Sequence, residues 1–144
     1  MRASCDFCFR RCSIEEGYYG YCNARTNVNG MIRDRAYGKV SAIAIDPVEK
    51  KPLYHFMPGT KTLSVAMAGC SFNCAFCQNH QIAKDNPEAG RFISPEDIVK
   101  TAMANHTPSI SFTYTEPIVW QDYAADIASI AKAEGLKTIM VSNG

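Results

Sequence analysis

The chain has 144 residues, 47% of them hydrophobic and 20% charged, enough for one modest core and too apolar for a disordered segment. Fifteen basic residues against fourteen acidic ones give a net charge of +1, and the pairs Arg10-Arg11 and Lys50-Lys51 stand apart instead of forming a stripe, so no nucleic-acid partner is expected. The amino terminus, MRASCDFCFRRC, lacks the apolar core of a signal peptide, and no apolar run approaches the roughly 20 residues that span a bilayer, so no membrane partner and a cytoplasmic location are expected.

Seven cysteines without a secretory signal argue for metal ligation over disulfides, because the cytosol keeps thiols reduced. Cys5, Cys8, Cys12 and Cys22 come first, at the spacing C-x2-C-x3-C-x9-C. Four thiolates close a tetrahedral site, so structural zinc is the expectation, with a second iron-sulfur cluster as its competitor because thiolates suit both. Around them the sequence is rich in turn formers and aromatics, as in Gly17-Tyr18-Tyr19-Gly20-Tyr21 and Asn27-Val28-Asn29-Gly30. Val40 to Ile45 reads as a strand, with the weaker Met31 to Arg35 as its hairpin partner. Such a segment buries little, and a bound metal would supply the missing stability. Residues 1–60 are therefore read as a Cys-rich module, and residues 61–144 as a second unit.

From residue 61 strands and helices alternate. Thr62 to Ala68 is a buried strand ending at Gly69, and the loop CSFNCAFC follows. Ser94-Pro95-Glu96-Asp97 starts a helix, with Ser94 as cap, Pro95 at the first position and acids in the first turn. Ile98, Ala102 and Met103 mark its buried face. Ser109 to Tyr114 is a second strand, and a second helix over Val119 to Glu134 carries Tyr123, Ile127, Ile130 and Ala131 at helical spacing before Gly135 stops it. Lys137 to Val141 is a third strand, ending in Ser142-Asn143-Gly144. This βαβαβ order predicts parallel strands with right-handed crossovers. The loop CSFNCAFC, Thr115-Glu116-Pro117 and Ser142-Asn143-Gly144 each follow a strand, so all three should meet at the carboxyl edge of the sheet, where ligands of parallel α/β folds sit.

Cys70, Cys74 and Cys77, at C-x3-C-x2-C, offer three thiolates on one short loop. They can hold three irons of a 4Fe-4S cluster and leave the fourth open to a small molecule. His55, His80 and His106 have no ligand spacing among them, and Trp120 and the tyrosines read as core.

The string CSFNCAFC resembles the radical SAM superfamily signature, C-x3-C-x-aromatic-C, with Phe76 in the aromatic position. The resemblance implies an α/β fold: the first three βα-type units of a partial TIM-like parallel barrel, preceded by the Cys-rich module. It implies that the open iron chelates S-adenosylmethionine, that one electron breaks the sulfonium carbon bond, and that the resulting 5'-deoxyadenosyl radical abstracts hydrogen from a substrate. Phe76 would pack against the adenine and Asn143 would line the same site. Glu116 lies where relatives carry Gly-Gly-Glu-Pro and would receive the methionine amino group. Here the segment reads Tyr114-Thr115-Glu116-Pro117, without the glycines that permit close backbone approach.

More narrowly, CDFC near the start, the segment Asp46-Pro47-Val48-Glu49-Lys50-Lys51-Pro52-Leu53-Tyr54-His55-Phe56, FTYTEP and VSNG resemble the AmmeMemoRadiSam system radical SAM enzyme, often named after pyruvate formate-lyase activating enzymes. That likeness implies an electron donor such as flavodoxin or ferredoxin, and a chain matching about the first half of a family member. A glycyl-radical activating enzyme acting on a partner protein is one alternative. A non-catalytic iron-sulfur or zinc-binding module is another.

Overall fold

A computed structural model describes all residues from Met1 to Gly144. β1 (Arg2–Ser4) and β2 (Ser13–Glu15) form a short antiparallel ribbon, and β3 (Arg25–Val28) pairs with β4 (Met31–Asp34) in a second. Asn29 and Gly30 join the latter pair with φ of 52° and 80°, the two positive values of a type I′ hairpin turn. The expected pairing of Met31 to Arg35 with the strand at 40–45 is corrected by this turn. A two-residue connection returns the chain at once, so the partner is the segment just before it.

β5 (Lys39–Pro47) lies antiparallel to β6 (Lys61–Met67), with Ile43 opposite Val65. The short α1 (His80–Ala83), β7 (Arg91–Phe92), α2 (Pro95–Ala104), β8 (Ser109–Phe112), α3 (Gln121–Ala133) and β9 (Lys137–Met140) follow. β6, β8 and β9 are parallel, as the alternation of elements predicts, whereas β7 and β5 add antiparallel at one side, giving the order β7-β5-β6-β8-β9. The fold is thus mixed α/β around a sheet that is only partly parallel. β5 pairs with β6 along most of its length and removes what would otherwise be an unpaired edge beside the cysteine loop.

Period-two alternation divides the central strands into two faces. Leu63, Val65, Ile110 and Phe112 face the apolar core, where Ile98 and Ala102 of α2 meet Ile127 and Ala131 of α3. Met103 is not part of that face and is 45% exposed. Ser94 Oγ accepts the Asp97 amide at 3.2 Å and so caps α2, and Gly135 ends the second crossover helix with φ of 77°. The other face is polar yet buried: Thr62, Ser64 and Ser111 are shielded, with the Thr62 and Ser111 hydroxyls 2.7 Å apart. No helix is long and apolar enough to cross a membrane.

The amino-terminal segment shares the main core through Cys22, Ala24, Ala36 and Val40. Asp34 of β4 accepts the Ala36 amide on Oδ1 at 2.8 Å, while its Oδ2 is buried without a partner. Burial raises its carboxyl from 3.8 to about 6, against the opposing pull of Arg25 across the hairpin. Between those values the folded chain binds more protons than the unfolded one. Stability contributed by this group is therefore full below 3.8 and lost as the pH rises through about 6. Asp34→Asn is expected to stabilise the chain by roughly 1–3 kcal/mol at pH 7.5 and to change little at pH 4, measured by urea denaturation. An unchanged midpoint at pH 7.5 would refute the assignment.

Candidate active site

The site is built where the carboxyl ends of β6, β8 and β9 meet. β6 leads into Gly69, whose φ is 119° and whose α-carbon faces the amino-terminal segment so closely that a Cβ would lie 2.8 Å from Ala24 Cβ and 3.1 Å from the Cys22 carbonyl. Only glycine fits both constraints. The cysteine loop then turns on itself, with the Cys77 amide donating to the Cys74 carbonyl at 3.2 Å and the His80 amide to Cys77 O at 3.3 Å. It is also held from outside. Arg10 Nε donates to the Ser71 carbonyl at 2.5 Å while its guanidinium stacks 3.5 Å from the Tyr21 ring centre, Lys84 Nζ donates to Phe72 O at 2.6 Å, and Phe9 packs edge-on against Phe72.

Glu116 closes the edge. Its side chain is buried, and its carboxylate accepts from Ser142 Oγ and the Asn143 amide, both at 2.8 Å, and from the Ile118 amide at 3.1 Å. The Glu116 amide reaches Gly69 O at 3.4 Å, and Asn143 Nδ2 reaches Ser71 Oγ at 3.5 Å. The three loops thus converge as their places after successive strands predict. Oε1 takes two of the carboxylate's donors and Oε2 one, so Oε2 retains acceptor capacity.

Between these loops opens a cleft of about 750 Å³ lined by Cys70, Phe76, Cys77, Glu116, Ser142 and Asn143, together with Lys50, Lys51 and Tyr114. That volume is within the range of small-molecule sites. Phe76 is 89% exposed at its mouth, and Cys74 is exposed beside it without lining the wall. None of the three histidines lines the cleft, and the His80 ring meets the Cys77 carbonyl at 3.1 Å.

All seven cysteines are free thiols. Burial pushes the Cys70 thiol up, opposed by the Phe72 amide at 3.4 Å from its sulfur and by the Lys84 charge. Burial likewise raises Cys5 and Cys22; Cys5 lies within electrostatic reach of Cys8 and Cys12, and Cys22 within reach of Cys5 and Cys8. No three histidine, cysteine, aspartate or glutamate side chains are gathered closely enough to hold one metal ion. For Cys5, Cys8, Cys12 and Cys22 the expected closed zinc site therefore finds no support. For Cys70, Cys74 and Cys77 the donor chemistry fits a cluster in which each thiolate takes its own iron, an arrangement that does not require convergence on a single ion.

The sequence signature of the radical SAM superfamily matches residues 64–144, from β6 through all three loops. The chain belongs to the radical SAM superfamily. It is 43% identical over 99% of its length to the uncharacterized protein MJ0808 of Methanocaldococcus jannaschii, covering 44% of that protein. It is also 31% identical to the 7-carboxy-7-deazaguanine synthase of the same organism over an alignment of 99 residues that covers 60% of this chain and 41% of the synthase. The chain thus spans less than half the length of the curated relatives it matches. No solved structure matches it.

Membership in the radical SAM superfamily implies S-adenosylmethionine-dependent radical chemistry, for which members generally use a 4Fe-4S cluster. Sequence reasoning missed Arg10 and Lys84, because each holds the cysteine loop through a contact made only after folding. Glu116→Gln presents an amide group to donors that now meet a carboxylate, and is expected to cost about 1–3 kcal/mol. A lower Tm with faster amide exchange at Ser142 and Asn143 is the expected reading; exchange equal to wild type would show that Glu116 does not tether the two loops.

Proposed function

We propose that the chain is the cluster-bearing part of a radical SAM enzyme in which Cys70, Cys74 and Cys77 hold a 4Fe-4S cluster and S-adenosylmethionine takes the open iron. The observation that carries this reading is the placement of three free thiols on the loop leaving β6, beside a cleft walled by the Glu116 loop and the end of β9. When bound, cluster and cosubstrate supply one-electron cleavage of the sulfonium carbon bond and hydrogen abstraction from a substrate.

The chain's own residues then bind and orient. Glu116 Oε2 offers its remaining acceptor position to the methionine ammonium. Phe76 presents a ring face at the mouth for the adenine, and Asn143 fixes the opposite rim through Glu116 and Ser71. Arg10 and Lys84 hold the loop carbonyls and place positive charge beside a site that gains electrons.

Within the superfamily, the segments resembling the AmmeMemoRadiSam enzyme support that group, a one-electron donor of the flavodoxin or ferredoxin kind, and residues 61–144 as the opening units of a partial barrel, to whose sheet β5 of the preceding segment adds a strand. For Cys5, Cys8, Cys12 and Cys22, whose thiols suit zinc and iron-sulfur alike, the absence of convergence on one point supports a second cluster, in which each thiolate takes its own iron. The likeness to a protein named 7-carboxy-7-deazaguanine synthase supports a small-molecule substrate over a partner protein.

Low-temperature EPR of the anaerobically reconstituted, dithionite-reduced chain tests this proposal. The spectrum is expected to change when S-adenosylmethionine is added, and Cys74→Ala is expected to abolish the responsive signal. A wild-type spectrum indifferent to S-adenosylmethionine, or a responsive signal surviving in Cys74→Ala, would sink the assignment.

A further inference from the structure

Tyr114 opens the Thr115-Glu116-Pro117 loop with φ of 66°, in the left-handed region that costs a residue with a side chain about 1–2 kcal/mol. Contacts from three directions hold it there. Its hydroxyl donates to Asp46 Oδ2, the Lys51 ammonium stands 4.5 Å from its ring centre, and its carbonyl accepts from Asn79 Nδ2 at 3.0 Å, just beyond the cysteine loop. Asp46 is itself fixed. Oδ1 accepts from Lys50 Nζ at 2.9 Å, and Oδ2 accepts from Lys51 Nζ at 3.0 Å and from Ser64 Oγ, on β6, at 2.7 Å.

Asp46 and Lys51 are both buried, so this post is shielded from water and from counterions. Burial alone would raise the Asp46 carboxyl, but the donors from Tyr114, Lys50, Ser64 and Lys51 outweigh it and hold the group well below the usual carboxylate range. It is therefore an ionised acceptor at neutral pH. From Tyr114 onward the loop is tied in sequence: Thr115 Oγ1 donates to Met67 O at 2.5 Å, and Glu116 meets the end of β9.

We propose that Asp46 is a positioning residue for the cosubstrate edge: through the Tyr114 hydroxyl it holds the left-handed turn that sets Thr115 and Glu116 against the cleft. The segment Asp46 to Lys51, outside the cysteine motif, thereby tunes affinity for S-adenosylmethionine. This rests on the reading of the cleft given above. A glycine at position 114 adopts the same φ without cost and needs no post.

The test is S-adenosylmethionine affinity of the anaerobically reconstituted chain by equilibrium dialysis, beside amide exchange of residues 114–116. Tyr114→Phe removes the hydroxyl and leaves the Asp46–lysine pairs intact, so folding is preserved. It is expected to weaken binding roughly 5- to 30-fold, the equivalent of the released 1–2 kcal/mol, and to speed exchange in the loop while the chain stays folded with a modestly lowered Tm. Whatever affinity Tyr114→Gly itself shows once its ring has left the cleft wall, adding Asp46→Asn to it should change that affinity no further, because glycine holds the turn without a post. The proposal falls if Tyr114→Phe binds as wild type does, or if Asp46→Asn weakens binding equally with Tyr and with Gly at position 114. A wild-type chain that binds no S-adenosylmethionine overturns the reading of the cleft and the proposal with it, an outcome distinct from wild-type binding that ignores Tyr114→Phe.

Discussion

A carboxylate buried to 2% exposure is the constraint on which the site depends. Removing the Glu116 charge from water costs several kcal/mol unless its lone pairs are met, and here three donors meet all but the acceptor position left on Oε2, two from the segment following β9 and one from its own following turn. The cost of burial thus becomes a geometric demand: β8 and β9 cannot change register without stranding a charge. The Glu116 amide extends the demand to Gly69, from which the cysteine loop departs. Three loops that the chain separates by dozens of residues behave as one preorganised edge.

The amino-terminal segment supplies the back of that edge. Arg25 is 1% exposed, and its guanidinium donates to Val119 O at 2.7 Å, pairs with Asp122 and stacks 3.7 Å from the Phe7 ring centre. Val119 lies three residues past Glu116, so a cation from β3 secures the turn behind the buried carboxylate. Gly69 lets Cys22 and Ala24 approach the start of the cysteine loop, and Arg10 grips the loop itself. Charge and close packing do different work here: the apolar core fixes where the sheet lies, while buried or stacked arginines fix how its rim is shaped.

Asp46 applies the same logic behind Tyr114. One carboxylate shared among two lysines, a serine and a tyrosine is a costly arrangement to bury, and it is tolerable because nearly every lone pair has a donor. The polar face of β6 and β8 is what makes room for it. Thr62, Ser64 and Ser111 would serve poorly in a core, yet on the buried face away from the helices they accept and donate where aliphatic residues could only exclude.

Elements whose signals are local were legible along the chain. The run at 62–68, the Ser94-Pro95 start, the stop at Gly135 and the three strand-end motifs all depend on residues within a turn of one another, and the parallel order follows from their alternation. The cysteine spacing likewise pointed to the superfamily that the chain belongs to, since residue type and interval are one-dimensional properties. Local reading failed where two short segments competed for one partner: Asn29-Gly30 claims Met31–Asp34 for β3, which frees β5 for β6. Only the tertiary structure decided that Arg25 would be buried, that Tyr114 would be held left-handed by a residue 68 positions away, and that Glu116 would spend its acceptors on the end of β9. Those outcomes depend on which charges folding removes from water and which donors it brings within reach, and neither is encoded in any window of neighbouring residues.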